Sequence, residues 1–517
     1  MKKWLRILSL SLALMMLLPM LALGEAEMPT FKIAIVRWTD SWGTDFTKTA
    51  VLQEMAEKAG VKIEWDVYYY DNWQEQKSLM LASGNLPDAF FGEITLSDTD
   101  IAQNNAYFVD LAPHIPTAMP NLAAIFEKDP AMKALSTNRE GKIYGLPKKL
   151  PLRPLTAFPT YINRDWLNKL GLEMPTTYQE LEAVLEAFVT KDPNGNSIAD
   201  EVGYAGPVPA SARKDINELM IPFGTQASRA GNYMGLDAQG KPYFVPTAEN
   251  YRQGVQWVRG LYEKGLLSQE RFTQTSDMVA AKTQAEGGSL TGICFAWTAD
   301  AEVGANAAQF QVMEAVKGPD GNRYVESDPT YLNYARNEFV VTSACKDVDK
   351  LLSFADLFYD DLVSLQTYYG SIGDGKIKDN GDGTYTVLVP QGDMSLDTSC
   401  WTYSFRDHGP KYMSAEFEKN VILPTDQGDG IKLADDAVNA AYARPTFPVC
   451  SYTEEQLLRL SVLATDIKSY VEQTYAHWVV DGGIDEEWDA YVEQLRAMGL
   501  EEYLAIYEDA FAAYQAQ

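Results

Sequence analysis

At 517 residues the chain is too long to fold around one hydrophobic core, which points to two or more lobes. Apolar residues make up 46% and charged residues 22%, the balance of a globular protein rather than of a disordered one. With 72 Asp plus Glu against 43 Lys plus Arg, the net charge of −29 argues against nucleic acid or an anionic membrane as partner. It also disfavours a polyanionic glycan, unless a local basic cleft overrides the net field.

Residues 1–24 read as an export signal. Lys2, Lys3 and Arg6 make a positive start, residues 7–21 are apolar, and Ala22-Leu23-Gly24 places small residues for cleavage. No later stretch approaches the ~20 apolar residues of a membrane span. The mature protein is therefore expected to be exported, in a periplasm or at the cell surface or secreted. Four cysteines (Cys294, Cys345, Cys400, Cys450) allow one or two disulfides in such a compartment, and buried free thiols equally.

Residues 31–36 (Phe-Lys-Ile-Ala-Ile-Val) carry a buried-strand pattern, and a helix over 46–59 should end at Gly60 as a C-cap. A second strand over 61–69 leads into a helix from Asp71 to Ser83-Gly84, then a short strand over 89–91. Strand, helix, strand, helix, strand at this spacing predicts a parallel sheet with covering helices, whose ligands bind at the carboxyl ends of the strands. That rule puts Trp38, Asp40, Trp42, Asp71 and Trp73 at the mouth, with Tyr70 at its edge and Tyr68 and Tyr69 in the strand. Residues 141–147 read as a small hairpin and 156–163 as a strand crossing to a second lobe. Thr177 with Glu180 forms a capping-box signal for a helix over 178–189.

Residues 191–203, Lys-Asp-Pro-Asn-Gly-Asn-Ser-Ile-Ala-Asp-Glu-Val-Gly, then space oxygens for a hard cation. Asp192, Asn194 and Asn196 alternate, Ile198 can offer its carbonyl, and Asp200 and Glu201 close the run, a donor set suited to Ca²⁺. The start follows an EF-hand loop. The end does not, because Gly203 stands where the bidentate Glu would be, and Ser197 replaces the turn glycine. The loop is expected to close through Glu201. The alternative is a polar Asn/Asp/Gly turn between helix and strand.

Further on, residues 251–265 read as a helix, and 287–297 as a strand delivering Trp297 and Asp300. Residues 339–342 and 347–359 read as a strand and helix after a second crossing near 330. Residues 379–385 form a hairpin turn of Asn-Gly and Asp-Gly type. The end is helical over 454–476, breaks at 478–483 and resumes from Ile484, with Trp257, Trp478 and Trp488 in packing positions.

The stretch 161–181, beginning Tyr-Ile-Asn-Arg-Asp-Trp-Leu, together with the Asp192–Glu201 loop, resembles an extracellular solute-binding protein of family 1. These are receptors of carbohydrate ABC importers, in the branch that includes alginate-oligosaccharide receptors. Ser-Gly-Asn-Leu-Pro-Asp at 83–88, Gly-Lys-Ile-Tyr-Gly-Leu-Pro at 141–147 and the terminal helices carry the same resemblance, from about Phe31 to Tyr514. It implies an α/β, two-lobed periplasmic-binding-protein-like fold of type II, with the ligand cleft between lobes and a helical C-terminus. It implies a structural Ca²⁺ on Asp192, Asn194, Asn196, Ile198, Asp200 and Glu201. It implies an oligosaccharide or small carbohydrate as ligand and permease subunits as partners of a monomeric receptor. The expected division is lobe 1 over 25–155, lobe 2 over 156–330, a return to lobe 1 over 331–375, and lobe 2 with C-terminal helices over 376–517. One departure stands out: where related Gram-positive receptors carry a lipid-bearing Cys after the signal, Glu25 follows Gly24, so lipid anchoring by that route is not expected.

Histidines are three (His114, His408, His477) and far apart, and no Gly-x-Ser-x-Gly or phosphate-binding glycine loop occurs. Aromatics are abundant, with 11 Trp, 29 Tyr and 20 Phe. A sugar's C–H face stacks on such rings while Asp, Asn and Arg take its hydroxyls. The stacking candidates are Trp38, Trp42, Trp73, Trp297 and Trp401, and the hydroxyl partners Asp40, Asp71 and Arg406, each weighed against a plain core role. Capture without catalysis is the reading, against a secreted Ca²⁺-dependent glycan enzyme or a sugar sensor without a transporter.

Overall fold

The computed structural model describes residues 28–328, 333–392 and 394–516. The export signal expected at 1–24 and part of the crossing near 330 lie outside them. Alternating burial builds the first lobe. In β1 (Thr30–Arg37), Ile33 and Ile35 enter one core while Ala34 and Val36 enter another on the opposite face of the sheet. Helix α1 (Ala50–Ala59) ends as expected at Gly60, which is left-handed and donates to the carbonyls of Ala56 and Glu57. Then follow β2 (Lys62–Tyr69), α2 (Tyr70–Ser83) with Gly84 as its left-handed cap, and β3 (Ala89–Phe91). β2 and β3 run parallel to β1 on either side of it. Residues 145–149 are not a hairpin arm but the sheet strand β4 (Gly145–Lys149).

The second lobe starts after the crossing, with β5 (Thr160–Asn163), α3 (Tyr178–Thr190) and β6 (Val202–Tyr204). At the start of α3 the Thr177 hydroxyl accepts from the Glu180 N–H as expected. The Glu180 carboxylate reaches one residue further back, to the N–H and hydroxyl of Thr176, each at 2.8 Å. Helix α4 (Glu249–Glu263), β7 (Thr291–Phe295) and β8 (Phe310–Val312) complete a four-stranded sheet of order β8-β5-β7-β6, with β6 and β7 parallel.

β9 (Val325–Ser327) leads out of this lobe, and β10 (Tyr334–Val341) lies antiparallel between β3 and β4 in the first. The chain then departs from the expected division. Residues 376–423 were assigned to the second lobe, yet β13 (Lys411–Tyr412) pairs with β4, closing the first sheet in the order β13-β4-β10-β3-β1-β2. Before and after it, β11 (Ile377–Asp379), β12 (Tyr385–Val387) and β14 (Val421–Ile422) form a small sheet. Its core joins Ile377 and Val387 to Leu150 and Leu365.

The chain returns through α5 (Gly428–Asn439) and β15 (Ala443–Pro445), which pairs with β9. The terminal helices α6 (Glu454–Val480), α7 (Ile484–Ala497) and α8 (Leu500–Gln515) bury Trp478, Trp488 and Tyr503 in the core that holds Trp257 and Tyr251 of α4. α6 runs past the expected break, which falls at residues 481–483 instead. All four cysteines are buried and free, and burial raises each thiol's pKa.

Helix α5 binds both lobes. At its start Asp429 pairs with Arg406 and accepts from the Tyr369 hydroxyl, in the first lobe. At its end the Asn439 side chain bonds the Ala315 N–H and the Met313 carbonyl, in the second. Between these, Asp436 takes the N–H groups of Leu155 and Thr156 (2.9 and 2.8 Å), and Lys432 donates to the Ala157 carbonyl at 2.7 Å. The first crossing is thus fastened along one face of α5.

Candidate functional site: the cleft between the lobes

A cavity of about 830 Å³ lies between the lobes, with Trp38, Tyr70, Glu93 and Tyr334 on one side and Arg229 and Asp328 on the other. It opens where β1 ends. Arg37, the last residue of β1, is buried and donates to the carbonyls of Trp401 and Ser404, fixing that loop against the strand. Burial brings its pKa down to about 10.

Two of the aromatic candidates meet above Arg37, and a third, Trp38, lies across His408 from them. Trp42 stacks on Trp401 with centroids 4.6 Å apart and planes 13° from parallel, and both rings lie over the Arg37 guanidinium. Trp38 is 41% exposed, packs on Tyr70 at 4.9 Å and faces the cavity, which leaves a ring surface for a ligand. His408 sits between Trp38 and Trp401, fully buried, with neither ring nitrogen hydrogen-bonded. Burial, with Arg37, Lys148 and Lys411 nearby, drives its pKa far down and keeps it neutral.

The other candidates fall elsewhere. Trp73 borders the cavity but is a core residue, its indole N–H donated to the Thr95 carbonyl at 2.9 Å and its ring packed on Tyr68 and Phe90. Arg406 does not reach out for hydroxyls. It is buried in a two-point pair with Asp429 (2.7 and 2.9 Å) and lies 4.2 Å from the Tyr368 ring. Asp40 and Asp71 are exposed and are not among the residues that line the cavity. Trp297 follows β7 on the second lobe, with the Arg153 guanidinium at 4.5 Å and the Lys432 ammonium at 4.7 Å from its ring.

Charge on the cleft floor is largely internally matched. Of the side chains that line it, Lys77 pairs with Asp100 at 2.7 Å, Glu93 lies 3.3 Å from Lys148, and Arg336 pairs with Asp98. Arg229 pairs with Glu326 at 2.6 Å. Such a floor presents hydrogen-bonding groups without a strong net field of either sign. Sequence reading missed the second lobe's contribution to the cleft, Arg229 with Asp328, and the rings of Phe158, Tyr204 and Phe295 around a neighbouring recess on that lobe, which Arg229 also lines. Tyr204 and Phe295 close the parallel strands β6 and β7, so the carboxyl-end rule applied to that sheet would have found them.

The 192–201 loop lies beyond α3 in the second lobe. Asp192, Gly195 and Ser197 are left-handed, with φ of 46°, 79° and 63°. Side-chain oxygens of Asp192, Asn194 and Asn196 each accept loop N–H groups, and the amides of Asn194 and Asn196 converge on the Asp200 carboxylate. Glu201 is buried, and burial followed by the charges of Asp200 and Asp192 raises its pKa. Among the described residues none of these three carboxylates has an ion-pair partner, and no three His, Cys, Asp or Glu side chains converge as a metal centre.

The profile of the bacterial extracellular solute-binding proteins matches residues 43–359. The chain belongs to this family. It is 30% identical over 492 residues to the fructooligosaccharide ABC transporter substrate-binding protein FusA of Streptococcus pneumoniae serotype 4, covering 91% of this chain and 88% of FusA. The solved complex of FusA with kestose superposes with a TM-score of 0.83 at 28% identity, over 94% of this chain and 99% of that one. An HMO-binding, ABC-transporter-associated solute-binding protein of Bifidobacterium longum infantis gives 0.79 at 25%, with coverage of 94% and 99%. Alginate-binding AlgQ2, at 22% identity and a TM-score of 0.74 over 94% and 98%, shares the fold. The solute-binding family and the two-lobed type II fold implied by the sequence resemblance are therefore those of this chain.

Proposed function

We propose that the protein captures a neutral oligosaccharide outside the cytoplasm and delivers it, lobes closed, to the permease of an ABC importer. The observation that carries this reading is the cleft itself. Exposed Trp38 with Tyr70 offers a stacking surface on one lobe, Arg229 and Asp328 face it from the other, and Arg229 and Glu93 are paired with Glu326 and Lys148. The likeness to FusA, a fructooligosaccharide receptor, supports both the importer and a neutral ligand. Ligand contacts made to both lobes at once favour the closed form by their difference between the two states. Trp38, Trp42, Trp401 and Trp297 are the stacking residues of this reading, and Asp40 and Asp71 its hydroxyl partners.

The same reading gives the 192–201 loop a structural Ca²⁺. Three unpaired carboxylates, two amides and the Ile198 carbonyl form an oxygen set for a hard cation, and a divalent charge relieves the buried Glu201. One solved form of FusA is an EF-hand mutant, which supports a metal loop in this branch. The ion braces the second lobe away from the sugar.

The test is thermal unfolding with kestose, nystose and a panel of other glycans, followed by recovery of the ligand. A ligand at ~100 times its Kd adds about 2.7 kcal/mol of stability. A shift with one glycan class and intact ligand recovered is the expected result. Hydrolysed ligand would turn the reading to an enzyme, and no shift with any glycan would overturn it.

A further inference from the structure

A hollow of about 530 Å³ opens on the second lobe beside α6. It touches the cleft at one residue, Ala230, which lines both. The loop 229–231 is thus a thin wall, with Arg229 on its cleft side and Gly231 on the other. Lys468 and Glu472, one helical turn apart on α6, share the hollow with Arg213, Tyr233, Ser469 and Gln473. Gly231 makes room for the arginine. Its φ is 71°, and a Cβ there would stand 3.1 Å from Arg213 Cδ and 3.5 Å from Nη1, so the Arg213 side chain lies against the loop.

The charges here are not balanced. Glu472 is the one acid in the lining among the described residues. Its oxygens are taken by the Ala212 N–H at 2.7 Å, the Arg213 N–H at 3.3 Å and the Tyr233 hydroxyl. Among the described residues no carboxylate comes within 4.0 Å of the Arg213 guanidinium or the Lys468 ammonium, and neither group donates a hydrogen bond. Burial, then the nearby Arg213 charge, lowers the Lys468 pKa. A chain with 72 acidic side chains against 43 basic ones has carboxylates to spare, yet this pair has none. Two like charges over one hollow, with a hydroxyl and an amide at its edge, are the donor set of an oxyanion.

We propose that this hollow is an anion site outside the sugar cleft, taking a phosphate or carboxylate group between Arg213 and Lys468. The guanidinium supplies paired N–H donors, the ammonium a point charge, and Ser469 and Gln473 neutral donors. Glu472 is held off by its own three donors. With a net charge of −29 the chain as a whole repels anions, so one that binds is held by this local pair. The site does not depend on what the cleft takes.

The experiment is calorimetric titration of the full chain with inorganic phosphate and with galacturonate, using wild type, Arg213→Gln, Lys468→Gln and Trp38→Ala. Wild type should bind, and each charge variant should lose about tenfold, the scale of one charge-assisted contact. Trp38→Ala should match wild type. Either order of the two probes bears the site out, tighter phosphate assigning it to a phosphate group and tighter galacturonate to a sugar acid. No binding of either anion overturns the proposal. So does binding that survives both charge variants, or binding that falls in Trp38→Ala, which puts the anion in the cleft. Should a variant not fold, wild-type Lys468 reports by itself: phosphate should slow its reductive methylation, and an unchanged rate overturns the site.

Discussion

Arg406 and Asp429, 23 positions apart, form a two-point ion pair at 2.7 and 2.9 Å that joins the first lobe to the start of α5. Both are buried, so neither charge can turn to water if the other is lost. Asp429→Asn should destabilise the protein by about 3–5 kcal/mol, read as a fall in the urea midpoint.

The same pair sets an acid limit. Despite burial, the Arg406 charge and its hydrogen bonds hold Asp429 at about 2, below the ordinary aspartate value of 3.8. The folded state therefore binds its proton later than the unfolded one. The stabilisation, about 2–3 kcal/mol, is complete above pH ~4 and lost as pH falls through 2. Stability measured from pH 5 to pH 2 should lose this contribution in wild type and not in Asp429→Asn.

Trp38 and Trp73 separate binding from folding. Trp38→Ala removes a half-open ring from the cleft and should weaken oligosaccharide binding about thirtyfold, ~2 kcal/mol, with little change in Tm. Trp73→Ala empties a core position and should cost about 3–5 kcal/mol of stability. Paired calorimetry and thermal melts check both.

Much of this was legible in the chain. Alternation in residues 31–36 gives a strand buried on both faces, Gly60 and Gly84 mark helix ends, and the oxygens of 192–201 stand out by spacing alone. What failed were choices made by distant partners. Nothing near Arg406 announces Asp429, and Trp73 looks like a rim residue until the turn of α2 carries it under Thr95. β13 is two residues long, too short for any period to show, so the return of residues 376–423 to the first sheet was invisible. The recess on the second lobe was missed because its rings come from strand ends about 90 positions apart, Tyr204 and Phe295.

The cation loop makes a separable prediction. A chelator should lower Tm and leave the Kd for oligosaccharide within about twofold, since the loop lies away from the cleft. Asp200→Asn should abolish the Ca²⁺-dependent shift while the metal-free protein melts no lower than wild type, because three close carboxylates become two. A Ca²⁺ shift retained in that variant would remove Asp200 from the donor set.

Asp436→Ala strips the Leu155 and Thr156 N–H groups of their acceptor, at a cost of about 2–4 kcal/mol. Amide exchange at those two residues should accelerate more than at any strand of either sheet.

That fastening also constrains how the molecule opens. A connection laid along a rigid rod cannot buckle in its middle, so the bending falls to the ends of α5 and to the β9–β15 ribbon. The two halves then swing like a book on a stiff spine rather than twisting freely. A stiff spine fixes the direction of travel, so the ligand has only to set how far the covers close.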